Sequence, residues 1–425
     1  MPVSHRQPSS PQNAWIAAGL FLAGFALATG HLAQVQFGGG FETLAIARNL
    51  AWYGRFANPY YVLPTGLSAH CAPLYPALMA LVFWALGNIT GTGAIIFFSM
   101  AMHGANAALM PSVSGLFFGD RRPGIWAGAM AALLPLYYVL PQFDMIYFSA
   151  GAMLFCLAAH RLSRGAERWR GLAIGIFAGL LALLNPASVC VTAPWLAYLA
   201  WRRRIRLHSI FALAIVLGGI LTLAPWTWRN YRVFHALFFV RDDLGLELYV
   251  SNNDRAAATE YANFKSGAFN RLHPNVSLPE ALAVRELGEV RYNSGRLAAA
   301  RRWIAAHPRR YLALTAARAR QFWFPWEAGK HGHDCSVAAV TAISFLGLLL
   351  LALRRQPACV YLAAVLLIYP LLYYSIQMDP RYRAAILWVS LLACGYALAA
   401  GAERIARLRA IVSASPARLP GREPL

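Results

Sequence analysis

Long uncharged runs separated by short arginine clusters constrain this chain more than any other feature. Apolar stretches fall at roughly 14–34, 74–86, 92–117, 124–140, 145–160, 171–184, 186–201, 209–227, 336–353, 357–376 and 384–402, about eleven segments. A helix needs about 20 apolar residues to cross the hydrocarbon core of a bilayer. Its backbone groups find no partners in lipid and must bond within the segment. Several of the runs are shorter than that. A water-soluble chain carries about a quarter charged residues. Here they make up 13% of 425, and the long runs account for the deficit. The expected fold is an all-α polytopic membrane protein.

The formal net charge of +21 does not call for nucleic acid. The arginines mostly cap apolar runs, as in Trp201-Arg202-Arg203-Arg204 and Arg354-Arg355. Topology and anionic lipid headgroups account for that placement, so membrane lipids are the expected partners and no nucleic acid is. The clusters at Asp120–Arg122, Arg161–Arg170, Arg202–Arg206, Arg354–Arg355 and Arg404–Arg409 mark the cytoplasmic side. The first loop (35–73), the turns near Pro141–Asp144, Asn185-Pro186 and Asp379–Arg383, and a large polar loop then lie outside. One parity conflict remains between 74 and 117. Two apolar runs stand where an odd number of crossings is required, so one of them is re-entrant or half-spanning.

The domain reading follows. Residues 1–227 form a transmembrane module that includes the first outer loop, 228–335 an extracytoplasmic loop domain, 336–403 the closing spans, and 404–425 a disordered Pro/Arg-rich tail. Within the loop domain, Leu278 to Ala306 repeats apolar residues at helical spacing, with Pro279 near the start and Pro308 past the end. This predicts one or two amphipathic helices on the membrane face. Trp15 to Leu32 reads as an uncleaved first span. Cys156, Cys190, Cys359 and Cys394 sit in apolar runs as packing residues. A disulfide between the loop residues Cys71 and Cys335 is left open.

The first outer loop carries the most chemistry. Glu42 is the only acid between residues 1 and 119. Burial beside a membrane favours a neutral carboxyl, which suits a general base or a metal ligand. The plainer reading is an acid charging the first turn of a helix over Thr43–Trp52. Asp144 is a second outer acid, either an interfacial group or the partner of Glu42 in an acidic pair for acid–base work or a divalent cation. Two aromatic–arginine segments face the same side, Trp226–Arg232 and Asp379–Arg383. Arginine forks suit phosphate oxygens, and snorkelling arginines in an aromatic belt are the alternative.

Motifs spread over nearly the whole chain resemble a known class. They are Phe41-Glu42 with Ile46–Ala51, Gly54–Pro59, Thr65-Gly66 to Ala69, Pro73–Pro76, Pro225–Tyr231, Leu244–Leu248 with Asn252-Asn253, and Arg381-Tyr382-Arg383. Their order resembles the GT-C class of polytopic glycosyltransferases, in the bacterial branch related to protein O-mannosyltransferases and lipid A aminoarabinose transferases. The resemblance implies a GT-C type bundle in a bacterial inner membrane. It also implies inverting transfer of a sugar from a polyprenyl-phosphate donor to an acceptor at the outer face. Glu42 and Asp144 would be the catalytic acids. Arg229 and Arg381 would hold the lipid phosphate, with Arg48, His70, Asn253 and Arg383 as further substrate contacts. No cofactor is assigned, and a divalent cation at Glu42 and Asp144 stays open. The sequence departs from the better-known members, which carry an Asp-Glu pair at the start of the first outer helix. Here Phe41 precedes Glu42, and alignment on Ala47-Arg48 puts glycines at the pair. Two other classes stay open: a lipid or polyol transporter or flippase, and a non-catalytic scaffold of the same fold.

Overall fold

A computed structural model describes residues 11–32, 42–134, 144–165, 167–205, 209–326 and 331–414. Among these no strand forms, and the only β-pairings are the isolated bridges Ala57–Leu67 and Thr259–Met378. The membrane-length region begins with α1 (Pro11–Leu32), α2 (Glu42–Tyr53), α3 (Leu74–Phe118), α4 (Arg122–Leu133), α5 (Met145–Leu162), α6 (Arg168–Leu184), α7 (Val189–Arg203) and α8 (Ile210–Phe234). Six loop-domain helices follow: α9 (Leu244–Ser251), α10 (Glu260–Lys265), α11 (Ala268–Leu272), α12 (Leu278–Leu287), α13 (Glu289–Ala306) and α14 (Pro308–Trp323). The chain closes with α15 (His331–Leu353), α16 (Ala358–Ile368), α17 (Pro380–Ala384) and α18 (Leu387–Ala414).

Six of these, α1, α3, α5, α8, α15 and α18, contain stretches long and apolar enough to cross a membrane. The other apolar runs form the shorter helices α4, α6, α7 and α16. The runs 74–86 and 92–117 are not two separate elements. They form the single α3, bent at Gly87, whose φ of 74° and ψ of −179° leave room for no other residue type. Gly91 packs against Phe83 so closely that a Cβ on it would meet the phenyl ring at 2.9 Å. The Tyr75 ring and the Ser99 hydroxyl both reach Tyr147, at 4.9 Å between rings and 3.1 Å between hydroxyls. Positions equidistant from Gly87 thus lie side by side, and 74–86 folds back along its own helix. The two apolar runs are thus two legs of one bent helix.

Glycines also let helices approach in lipid, where no hydrophobic drive separates helix from solvent. The pair α6 and α8 is packed this way. A Cβ at Gly175 would overlap the Ile215 carbonyl. The arginine clusters tie neighbouring helices together in pairs. Arg122 pairs with Glu403 at 3.3 Å, and Arg203 donates to the His160 carbonyl at 2.8 Å.

At one end of the bundle α2, the first loop and α9–α14 form a cap. A small core of Tyr60, Leu246, Val250, Val284 and Tyr292 joins loop to cap. The cap differs from its sequence outline at the end of α8 and at Pro308, and takes the two-helix form expected over 278–306. Helix α8 runs on through Phe234, so Trp228–Arg232 are helical and the polar region starts later than 228. The 278–306 pattern splits at Gly288 (φ 78°) into α12 and α13. Pro308 opens α14 instead of ending the helical region, because proline at a first helical turn forfeits no hydrogen bond. Helix α18 continues through Ala414, so the expected tail from 404 is helical that far, and 415–425 lie outside the described residues. So do Phe41 and Pro141–Phe143. Cys71 and Cys335 are both free thiols.

Candidate active site

Between the cap and the bundle lies a cavity of about 500 Å³. Five residues singled out from the sequence line it: Glu42, His70, Asp144, Arg381 and Arg383. They come from four separate stretches of chain. Glu42 opens α2. Asp144 stands at the N-terminus of α5, where its Oδ2 accepts a hydrogen bond from Asn185 Nδ2 at 3.0 Å. Asn185 ends α6 in an extended conformation, and its Oδ1 accepts from Ala187 N, so the following Pro186 turn is fixed. His70 is buried, with Nδ1 3.4 Å from the Tyr60 hydroxyl.

The arginine wall is built by Asp379. Its Oδ1 accepts from Arg381 N at 2.8 Å and so caps α17, a five-residue helix with Pro380 in its first turn. Arg381 is balanced within the protein: Nη2 lies 3.2 Å from Glu260 Oε2 and Nε 3.8 Å from Asp379. Arg383 is not. It is 4% exposed, and Nη1 donates to the carbonyls of Phe322 (3.1 Å) and Trp323 (3.0 Å). The guanidinium lies 5.3 Å from the centre of the Trp323 ring. Nε and Nη2 are buried and have no hydrogen-bond partner among the described residues. Burial pulls the group down to about 9, which leaves it charged at neutral pH. A buried cation with two idle N–H groups in a cavity wall is costly unless an anion completes it.

The sequence reading missed several cavity residues. Arg241 pairs with Asp243 at 3.2 Å. Burial, helped by Asp243 and Glu260, pushes Glu247 up to about 8. Burial also raises Glu260 to about 7, against the pull of Arg381. His273 stacks on Phe269 at 4.5 Å, and its Nδ1 accepts from Asn275 N at 3.1 Å. The ring proton is therefore on Nε2, which faces Glu42 Oε1 at 3.9 Å. Burial holds His273 down at about 4, so it is a neutral imidazole at pH 7. The only signal for these groups was acids recurring in a stretch with apolar neighbours, as in Asp242-Asp243-Leu244-Gly245-Leu246-Glu247.

Three candidates lie outside the cavity. Arg48 donates to Asn88 Oδ1 at 3.1 Å, beside the Gly87 bend. Asn253 closes the end of α9 through the carbonyls of Tyr249 and Val250. Arg229 clamps the first loop, donating to Ser68 O (2.8 Å) and Phe56 O (3.2 Å), with its guanidinium 4.7 Å from the Trp226 ring centre. From the cap side Glu289 holds the same loop. Its two oxygens accept from Ser68 Oγ at 2.5 Å and Ala69 N at 2.6 Å. Burial raises Glu289 to about 7. Among the described residues no group of three or more His, Cys, Asp or Glu side chains is arranged to hold a metal ion.

The fold and cavity define a class: an all-helical membrane protein with a charged chamber under a helical cap at one end. No protein-family model matches the chain, and no curated protein does.

Proposed function

We propose that this protein is a GT-C type glycosyltransferase of a bacterial inner membrane. In this reading it moves a sugar from a polyprenyl-phosphate donor to an acceptor at the outer face, with inversion, and the apolar runs beyond the six long helices complete the bundle as short or bent spans. One observation carries the reading. Two carboxylates, Glu42 and Asp144, share one cavity with Arg383, a buried arginine lacking an anion. An anionic donor supplies that anion, and the carboxylates supply the base.

Glu42 takes the proton of the acceptor hydroxyl as its oxygen attacks the anomeric carbon. The bond from that carbon to the phosphate oxygen breaks, and its electron pair leaves with the polyprenyl phosphate. Arg383 stabilises the departing charge, with Arg381 beside it. His273, neutral and with its proton on Nε2, stands beside Glu42 at 3.9 Å. Asp144, fixed by Asn185, is the second acid at the reacting centre. Sugar transfer in membranes by Glu42→Gln and Asp144→Asn tests this mechanism. If both variants transfer sugar at the wild-type rate, the assigned chemistry is wrong.

A further inference from the structure

Residues 375–378 run into Asp379 and α17, and their polar groups draw their partners from the cap. Buried backbone N–H and C=O groups outside a helix must find such partners elsewhere. Gln377 N donates to Ser251 Oγ at 2.8 Å and Met378 N to the Ala258 carbonyl at 2.8 Å. Glu260 N donates to the Met378 carbonyl at 3.0 Å, and Asn263 Nδ2 to Gln377 Oε1 at 2.8 Å. The Ser375 carbonyl accepts from Asn252 Nδ2 at 2.9 Å and from Arg318 Nη1 at 3.0 Å.

Arg318 is the unexpected member of this seam. It lies on α14 with no exposed surface (0%). Nη1 also donates to Asn252 Oδ1 at 3.1 Å, and Nη2 donates to the Ser251 carbonyl. None of these acceptors is an acid. Burial pulls the group down to about 10, which leaves it charged at neutral pH. A buried cation without an ion partner is costly, so packing alone gives no reason for arginine here. The rigid fork supplies a three-way joint between the end of α9, residues 375–378 and α14. Phe322 lies four residues beyond Arg318 on α14, and its carbonyl and that of Trp323 hold Arg383. Residues 375–378 lead into α17, which carries Arg383 itself. Arg318 therefore ties the helix that offers the carbonyls to the segment that brings the guanidinium to them.

We infer that Arg318 is the positioning residue for Arg383, holding α14 and residues 375–378 in the register that turns Nε and Nη2 of Arg383 to a ligand phosphate. The inference rests on the anion-binding role proposed above for Arg383 and adds what sets that arginine in place.

The test is a double-mutant cycle between Arg318 and Arg383, read as binding of geranyl phosphate to the full-length protein in lipid nanodiscs. Arg318→Met is expected to weaken binding about tenfold, within the range of couplings inside one hydrogen-bond network. Arg318→Lys, which keeps the charge and donors but not the fork, loses less. Arg383→Gln also weakens binding, and adding Arg318→Met to it weakens binding no further. Loss of stability alone would not make the two effects non-additive. Leu312→Ala, on the exposed side of α14 (64%), leaves binding as it is. Thermal midpoints establish that each variant is folded, and if Arg318→Met is not, Arg318→Lys carries the cycle. The positioning role is overturned if folded Arg318 variants bind geranyl phosphate as wild type does, or if the Arg318 and Arg383 losses add. A wild-type protein that binds geranyl phosphate no better than Arg383→Gln overturns the anion site itself.

Discussion

Two segments of this chain look alike in sequence and do different work. Trp226–Arg232 and Asp379–Arg383 each put arginines among aromatics at the same end of the bundle. Arg229 in the first gives its guanidinium to the carbonyls of Phe56 and Ser68 and to the Trp226 ring. It is a clamp on the first loop. Arg383 in the second bonds two carbonyls and leaves Nε and Nη2 unused in a cavity wall. The motif is the same, but Arg229 is half-buried and bonded to two loop carbonyls, whereas Arg383 is buried with N–H groups left over.

The largest expected effects concern the chemistry proposed for the cavity that Arg383 lines. Glu42→Gln is expected to lower the transfer rate by about 10²–10⁴, the range for loss of a general base, while polyprenyl phosphate still binds. A variant that loses binding and rate together would make Glu42 a binding residue and break the assignment.

Next comes the arginine pair. Arg383→Gln should cost about 2–5 kcal/mol of donor binding, as for a buried charge-assisted contact, and change the thermal midpoint little, because removal of a buried charge without an anion offsets the loss of the bonds to the Phe322 and Trp323 carbonyls. Arg229→Gln should do the reverse. It should lower stability by about 1–3 kcal/mol through the orphaned Ser68 and Phe56 carbonyls, with a smaller change in donor affinity. If the two variants give the same profile in unfolding and binding, the distinction between clamp and ligand site fails.

The clamp side also predicts a pH dependence. Glu289 and Glu260 are raised to about 7 and Glu247 to about 8 in the folded protein, above the unfolded carboxyl value of about 4.3. Their folded forms therefore bind protons more tightly than the unfolded chain. The stability this provides is complete below the unfolded value and lost as pH rises through 7 to 8. The thermal midpoint should fall by a few degrees between pH 6 and pH 8.5. Glu289→Gln, which can still accept from Ala69 N and donate to Ser68 Oγ, should flatten part of that slope. A pH-independent midpoint in the wild type would show that these carboxyls are not buried as described. The smallest effects belong to Arg48→Ala and Asn253→Ala, both outside the cavity. Each should change stability by under about 1 kcal/mol and leave donor affinity as it is.

Much of the frame was legible in the sequence because a bilayer acts on composition directly. Apolar length, charge clusters and their parity follow from the cost of exposing backbone and charge to hydrocarbon, and each is local in the chain. The conflict near Gly87 was visible as a parity error, but the bend that joins the two runs into one helix needed the backbone angle at one glycine. The site was legible only in part. Glu42, His70, Asp144, Arg381 and Arg383 stood out as polar groups at the ends of apolar runs, and they meet in one cavity. Arg241, Glu247, Glu260 and His273 did not, because they lie in a polar cap where an acid or histidine has no signature.

The sequence by itself determined that this chain is a helical membrane protein with its unusual polar groups gathered at one end, since transfer free energies into lipid depend on residue type and run length alone. The tertiary structure decided which of those groups share a cavity, which arginines are already satisfied, and that Arg383 is not. Partners for a buried charge come from Phe322, Trp323 and Glu260, residues distant in sequence, and no local pattern encodes whether a hydrogen bond so far along the chain is made.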